Sequence, residues 1–154
     1  MYEIRLCETD EVDLLKTFLK DSWSQDHIFL KNKKLLDFQH KTINGYNFVV
    51  AYHRKTNCFH GVLGIISPSF YTNKTIDKNQ DIWLAIWKVD KNLAQSNSLG
   101  MDMLDYVEAE FFPRSVSAIG INNTVSLLYK LIGFKTKKMN QWFLPNRDIA
   151  DSKL

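Results

Sequence analysis

The order of apolar and polar positions along the chain predicts a series of strands. Residues 2–6 alternate between apolar and polar side chains, and residues 46–52 are rich in β-type residues. Residues 61–66 form a further apolar run, and the polar connection before it favours a hairpin. Residues 81–89 are apolar at nearly every position, which is typical of a strand buried on both faces of a sheet. A fifth strand is predicted over residues 115–121.

Apolar residues recur at helical spacing between these strands. Such spacing predicts a helix over residues 10–20 and a second, short helix around residues 35–38. Residues 100–111 carry the same pattern. Asn122 and the polar residues after it are suited to begin one more helix, and Gly133 stands where that helix should end.

The order of these predicted strands and helices defines the fold class. It runs strand, helices, three strands, helix, strand, helix, with one or two terminal strands predicted over residues 134–144. A helix follows each of two consecutive buried strands, so we expect a mixed α/β layer fold. Residues 67–80 form a long polar loop, and such loops are more often functional than idle. We expect a single domain over residues 1–145 and a polar tail over residues 146–154.

Composition narrows the class of protein. The 154 residues carry a net charge of +3, from 20 Lys and Arg against 17 Asp and Glu. An excess this small and this dispersed argues against nucleic acid as a partner. Two cysteines without a paired spacing favour a reduced, cytoplasmic protein, and no apolar stretch is long enough for a spanning helix. We expect no membrane partner, no metal site and either a monomer or a homodimer.

The segment from residue 81 to residue 111 is predicted to be a strand, a loop and a helix. The loop before the helix reads Gln95-Ser96-Asn97-Ser98-Leu99-Gly100, mostly small or polar residues. Such residues leave main-chain N–H groups accessible at the helix N-terminus, where an anion binds readily. The sequence therefore predicts a pyrophosphate site at this loop.

Two motifs in this part of the chain resemble those of the GNAT superfamily of N-acetyltransferases. Gln95, Ser98 and Gly100 fall on the three defined positions of its cofactor loop, Gln/Arg-x-x-Gly-x-Gly/Ala, with Ser98 in place of the middle glycine. The second pattern, Asn-x-x-Ala-x-x-Leu-Tyr-x-x-x-Gly-Phe, matches residues 122–134 at every defined position except Val125. Each motif follows a predicted strand, as the family requires.

The resemblance implies a GNAT-like central mixed sheet that is splayed between the strands at residues 81–89 and 115–121. It also implies acetyl-CoA as the cosubstrate, with the pantetheine arm in the gap between those strands. The residues that it places against the cosubstrate are Trp87, Lys88, Val89, Gln95, Ser96, Asn97, Ser98, Leu99, Gly100, Asn122 and Tyr129.

Catalytic roles are implied by the same resemblance. Tyr129 matches the family's frequent general acid, which protonates the CoA thiolate as it departs. Packing of a Tyr on an amphipathic helix is the alternative interpretation. No Glu is present over residues 81–89, where the family often carries its general base. Asp81 is the first candidate for that base because it begins the strand, and the other candidates are His27, His40 and His60.

The expected acceptor is a primary amine of a small molecule. Trp23, His27 and Trp83 are the candidate acceptor-binding residues, since flat aromatic faces suit sugar rings; core packing is the alternative for the tryptophans. An amino sugar or a nucleotide-linked amino sugar is favoured, with a peptide, an amino acid, a polyamine or an aminoglycoside as alternatives. A non-catalytic GNAT-like module that binds CoA or an amine, and an unrelated α/β domain, are the competing interpretations.

Overall fold

The computed structural model describes residues 2–72, 78–90, 92 and 98–140. The chain divides into two compact units, Met1–Ile119 and Gly120–Leu154. The described part of the first unit holds a β-sheet with its flanking helices, and that of the second holds a helix and an irregular segment. The expectation of a single domain over residues 1–145 stays a prediction, and the polar tail at residues 146–154 lies outside the described residues.

Five strands in the described residues form one sheet, in the order β1-β2-β3-β4-β5. The strands are β1 (Tyr2–Glu8), β2 (Gly45–His53), β3 (Cys58–Ile66), β4 (Asp81–Val89) and β5 (Ser115–Ala118). Neighbouring strands are antiparallel except β4 and β5, which are parallel. A parallel pair requires a crossover connection, and helix α4 (Leu99–Phe111) lies in it. The mixed α/β class predicted from the sequence is confirmed.

Helices pack on both faces of this sheet. Three of them precede β2: α1 (Val12–Ser22), α2 (Ile28–Lys31) and α3 (Lys33–His40). Val50 belongs to an apolar cluster with Leu15 and Leu19 of α1. The next strand residue, Ala51, points to the opposite face and pairs with Gly61, where a β-carbon would come within 3.0 Å of Met103 in α4. The sheet is therefore the middle layer between α1–α3 and α4.

Side-chain caps mark where three of the helices begin. His27 Nδ1 accepts a hydrogen bond from the Phe29 N–H at 3.3 Å, at the start of α2. Asn32 Oδ1 accepts from the Leu35 N–H at 3.0 Å, at the start of α3. In the second unit, Asn122 Oδ1 accepts from the Val125 N–H at 2.8 Å, at the start of α5 (Asn123–Leu131). Each cap satisfies an N–H group that has no partner within its helix.

Helix α5 ends in a Schellman motif. Gly133 has φ +94°, and its N–H donates to the Lys130 carbonyl oxygen at 3.1 Å. The Phe134 N–H donates to the Tyr129 carbonyl oxygen at 2.9 Å. These two bonds are the pair that defines the motif. The predicted helix start at Asn122 and the predicted helix end at Gly133 are both confirmed.

The prediction that β4 is buried on both faces is wrong. Ile82, Leu84 and Ile86 are buried, whereas Trp83 is 42% exposed and Ala85 is exposed as well. Trp83 lies on the face of the sheet that carries α2 and α3, where it lines a cavity with Phe29 and Leu35, so α4 on the opposite face does not cover it. One face of β4 is thus core, and part of the other is open.

Two further predictions concern the C-terminal third of the chain. Strand β5 ends at Ala118, three residues before the predicted end, and residues 134–140 form no strand. β-propensity alone does not supply the hydrogen-bonded neighbour that a strand requires. The rest of the predicted terminal strands, residues 141–144, lies outside the described residues. Among the described helices, none has the length and apolar character needed to cross a membrane.

Candidate active site

The sheet opens between β4 and β5. The two strands pair from Asp81–Ser115 to Leu84–Ala118 and no further, while β4 continues to Val89 along β3. The β3–β4 register shifts between Gly64 and Ile65, which leaves Ala85 as the extra residue of a β-bulge. From Ala85 onward, β4 has no strand partner on its β5 side among the described residues. This edge of β4 is therefore not covered by a strand within the described sheet.

A cavity of about 490 Å³ lies beside this opening, within the first unit. Its size falls in the range of roughly 300–1,000 Å³ that small-molecule sites occupy. The walls come from the loop before α2, from α2, α3, β3 and β4, and from the end of β5. The residues that line it are His27, Ile28, Phe29, Leu35, Gln39, Ile66, Trp83, Leu84, Ala85, Ile86 and Ile119.

The cavity contains two of the three residues predicted to bind the acceptor. His27 and Trp83 line it, and Trp23 packs edge-on against His27 with 5.6 Å between ring centroids. Trp83 and Trp87 lie on opposite faces of β4, because the bulge at Ala85 interrupts the alternation between them. Trp83 lies in the cavity wall, whereas Trp87 lies beside Gly100 at the start of α4.

His27 is held as a neutral donor. Its Nδ1 accepts the Phe29 N–H, so in the neutral ring the proton lies on Nε2. Burial lowers the pKa of His27 below its ordinary value, because the charged imidazolium is poorly solvated there. A ring in this tautomer donates a hydrogen bond from Nε2 and does not take a proton there, which argues against His27 as the general base.

The described part of the predicted pyrophosphate loop leads into α4. Ser98 has φ −88° and ψ −7°, so a serine occupies this position without the positive φ that would favour glycine. Its Oγ donates to Asp102 Oδ2 at 3.2 Å. A β-carbon on Gly100 would lie 3.5 Å from Trp87 Nε1, so the start of α4 is close to the open edge of β4. Gln95, Ser96 and Asn97 lie outside the described residues.

Asp81 is not placed to act as a base. Its carboxylate is bound by the Arg114 guanidinium and accepts from Ser115 Oγ at 2.7 Å. These hydrogen bonds, that to Arg114 first, lower the pKa of Asp81 to about 2. The residue begins the paired end of β4 and does not line the cavity. We therefore withdraw Asp81 as the candidate base.

Two of the other candidate bases are buried outside the cavity lining. His40 is fully buried against Phe48, with ring centroids 4.3 Å apart, and burial lowers its pKa to about 4. His60 stacks on His53 at 4.6 Å, and its Nδ1 lies 2.9 Å from the Tyr2 hydroxyl. His40 packs at the end of α3 against β2, His60 lies within β3, and neither ring lines the cavity.

Tyr129 belongs to the second unit. It lies on α5 and is 3% exposed, and its ring meets that of Phe134 edge-on. Burial raises the pKa of Tyr129 to about 12, so its hydroxyl keeps its proton at neutral pH. A general acid needs this protonated form. Asn122 is exposed at the start of the same helix.

Comparisons with known proteins identify the fold. No protein-family model and no curated protein matches the chain, but solved structures do. The aminoglycoside 6'-N-acetyltransferase AAC(6')-Ih from Acinetobacter baumannii is 17% identical over 95% of this chain and 99% of its own, with a TM-score of 0.63. AAC(6')-Iy, in complex with the bisubstrate analogue CoA-S-monomethyl-acetylneamine, is 13% identical over 95% and 99%, with a TM-score of 0.65.

A third similar structure is the mosquito arylalkylamine N-acetyltransferase like 5b. It is 14% identical over 90% of this chain and 85% of its own, with a TM-score of 0.64. Identities this low establish the fold alone. The chain has the GNAT fold, with the splayed sheet that the resemblance implied.

Sequence reasoning missed most of the cavity wall. Leu35 and Gln39 are four residues apart in α3 and so share one helix face, a spacing that was visible in the sequence. Ile66 and Ile119 reach the cavity only through the register of β3 and β5 with β4, which no local pattern specifies.

Proposed function

We propose that this chain transfers an acetyl group from acetyl-CoA to the primary amine of a small molecule. The observation that carries the proposal is the parting of β4 and β5 after Leu84, which lies next to the cavity on the strand whose Trp87 contacts the start of α4. Solved structures with the same fold support it, since their names describe acetyl transfer to aminoglycosides and arylalkylamines.

The described residues fit a pantetheine arm and a pyrophosphate. The main-chain groups of Trp87, Lys88 and Val89 would pair with the pantetheine amides, as one more strand would. The N-terminus of α4, at Ser98, Leu99 and Gly100, would hold the pyrophosphate with its main-chain N–H groups. The sequence motifs also assign Gln95, Ser96, Asn97 and Asn122 to the cosubstrate, and these four assignments stay proposals.

Acetyl-CoA, when bound, supplies a thioester whose acyl carbon bonds to the amine nitrogen as its C–S bond breaks. Tyr129 would hold the proton that the departing sulfur takes up, and water would then restore it. The acceptor nitrogen, which starts as an ammonium group, loses two protons to water, one before it attacks and one as the amide forms. One proton from water restores Tyr129, so each turnover releases one proton. Within the described residues, no carboxylate lines the cavity to accept that proton directly.

Turnover is the test of this proposal. The chain is mixed with acetyl-CoA and a panel of primary amines, and free thiol is measured together with the mass of each amine. We expect thiol release that requires an amine, with the mass of one acetyl group added to that amine. Thiol release without an acetylated amine, or no release at all, would contradict the proposal.

A non-catalytic module that binds CoA or an amine is the second candidate. The observation that favours it is the cavity wall, whose described lining residues include Trp83 and Ala85 of β4 but no carboxylate. Both candidates predict binding of CoA or an amine, and only the enzyme predicts turnover. A cytoplasmic location, the absence of a nucleic-acid partner and a monomeric or homodimeric state stay predictions from the sequence.

A further inference from the structure

We infer that the acceptor is a monoamine with an aromatic or aliphatic body, and that polycationic amines and amino sugars are poor substrates. This inference rests on the proposed function and specifies the substrate class of the same site. It follows from the chemistry of the cavity wall, in which apolar side chains dominate and full charges are absent among the described residues.

Charge in the wall is the first argument. None of the eleven described lining residues is an Asp, Glu, Lys or Arg, and the one titratable side chain, His27, is shifted toward its neutral form. A polyamine or an aminoglycoside brings several ammonium groups, and each one that leaves water without a counter-charge carries a large free-energy cost. A cavity that binds such molecules needs carboxylates, and this wall has none in its described part.

Polar partners in the wall are the second argument. Side-chain hydrogen-bonding groups come from His27, Gln39 and the indole N–H of Trp83 alone among the described lining residues. An amino sugar carries more hydroxyl groups than these three residues can satisfy, and each unsatisfied hydroxyl costs free energy when buried. An aryl or alkyl body instead gains by burial against Ile28, Phe29 and Trp83.

The apolar wall also bears on how the amine becomes a nucleophile. An ammonium group in a poorly solvated cavity has a lowered pKa, because the neutral amine is favoured there. The apolar wall lowers the pKa of a bound monoamine to the extent that it displaces water from the ammonium group. No described lining residue is a carboxylate that could serve as general base, so the amine reaches its neutral form by losing its proton to water.

A substrate panel tests the inference on the wild-type chain. Acetyl transfer from acetyl-CoA is measured to phenethylamine, spermidine, kanamycin and glucosamine at one pH and ionic strength. We expect kcat/KM for phenethylamine to exceed that of each of the other three by at least about tenfold. A higher value for any of those three overturns the inference and leaves acetyl transfer itself intact.

Two variants of one wall residue test the role of charge directly. Gln39→Glu adds a negative charge at nearly constant shape, and Gln39→Met is the uncharged control. We expect Gln39→Glu to raise the ratio of kcat/KM for spermidine to that for phenethylamine by about tenfold, since it adds one counter-charge. Gln39→Met should leave or lower that ratio. An equal response of the two variants would contradict the role of charge.

A measurement of phenethylamine binding distinguishes failure of the inference from failure of the proposed function. If no amine in the panel is acetylated, the proposed function fails, and phenethylamine binding then decides the inference. We expect tryptophan fluorescence to change with phenethylamine, and the change to be lost in Trp83→Phe but kept in Phe38→Ala, an exposed aromatic outside the cavity. Absence of this change, together with absence of turnover, overturns the inference as well.

Discussion

The ring of Phe134 meets the ring of Tyr129 edge-on, with 4.7 Å between their centroids and 84° between their planes. The same two residues are joined through the main chain, where the Phe134 N–H donates to the Tyr129 carbonyl oxygen. A hydrophobic contact between these positions commonly accompanies a Schellman motif. The pattern Tyr-x-x-x-Gly-Phe is thus a structural unit, in which the end of the helix fixes the ring of the proposed general acid.

Gly133→Ala should weaken the end of α5. Gly133 has φ +94°, which an L-residue adopts at a cost of about 1 kcal/mol, while a β-carbon would meet no atom within 4 Å. We expect the midpoint of thermal unfolding to fall by about 3 °C, as measured by circular dichroism. Lys130→Ala, an exposed change within the same helix, is the control and should cause no such loss. Equal stability of Gly133→Ala and the wild type would contradict the motif.

Tyr129→Phe should separate catalysis from packing. The variant keeps the ring that packs on Phe134 and loses the hydroxyl proton, so we expect kcat to fall by about 100-fold with little change in acetyl-CoA affinity. Tyr52→Phe, which removes a hydroxyl that bonds Asn57 in the first unit, is the control. Steady-state kinetics measures both. An undiminished kcat in Tyr129→Phe would leave Tyr129 with a packing role only.

His40 should make the fold sensitive to acid. Burial lowers the pKa of His40 from 6.5 to about 4 in the folded chain. As the pH falls, His40 therefore gains its proton in the unfolded chain before it does in the folded chain. The free energy of unfolding therefore keeps its full value above about pH 6.5 and falls between pH 6.5 and pH 4, by an amount on the order of 3 kcal/mol.

His40→Leu should remove this acid dependence. No hydrogen bond of good geometry reaches either ring nitrogen of His40 among the described residues, and only weak contacts with the main chain of Asn47 and Ile65 favour the charged ring. The free energy of unfolding of His40→Leu at pH 8 should therefore stay within about 1 kcal/mol of that of the wild type. Urea unfolding of both proteins across this pH range provides the measurement. Parallel curves for variant and wild type would show that the ring is already charged or solvated in the folded chain.

Asp81→Asn should leave catalysis intact. The carboxylate is engaged by Arg114 and Ser115, and its low pKa makes it a weak base at neutral pH. We expect kcat/KM for the best amine to stay within about twofold of the wild type, with Ser115→Ala as the structural control on the same contact. A loss of more than tenfold in Asp81→Asn, and not in Ser115→Ala, would return Asp81 to the reaction.

The sequence predicted the fold through features that are local. The alternation in β1, the apolar run of β4 and the cap residues Asn122 and Gly133 each act within a few residues, so they could be interpreted without tertiary structure. The exposure of Trp83 and Ala85 could not be predicted in this way, because their apolar side chains line the cavity and do not fill the core.

The candidate site depends on contacts that the sequence does not encode locally. Asp81 was the first candidate for the general base because it begins β4. Arg114, which neutralises its carboxylate, is 33 residues away and becomes its neighbour only through the parallel pairing of β4 and β5. Ile66 and Ile119 meet in the cavity for the same reason. Strand register, which is a property of the whole sheet, brings these residues together.

Binding of acetyl-CoA at the start of α4 is the central claim, and thermal unfolding with and without it is the most direct test. A ligand of the folded state alone, at 100 times its dissociation constant, adds about 2.7 kcal/mol to the free energy of unfolding. We compare wild type with Gly100→Glu and Gly100→Gln, because an acidic residue in the first helical turn favours the helix and repels a pyrophosphate.

The wild type should gain stability with acetyl-CoA, Gly100→Gln should keep part of that gain, and Gly100→Glu should lose most of it while folding as well without ligand. No gain for the wild type at millimolar acetyl-CoA, or an equal gain for Gly100→Glu, would contradict the account.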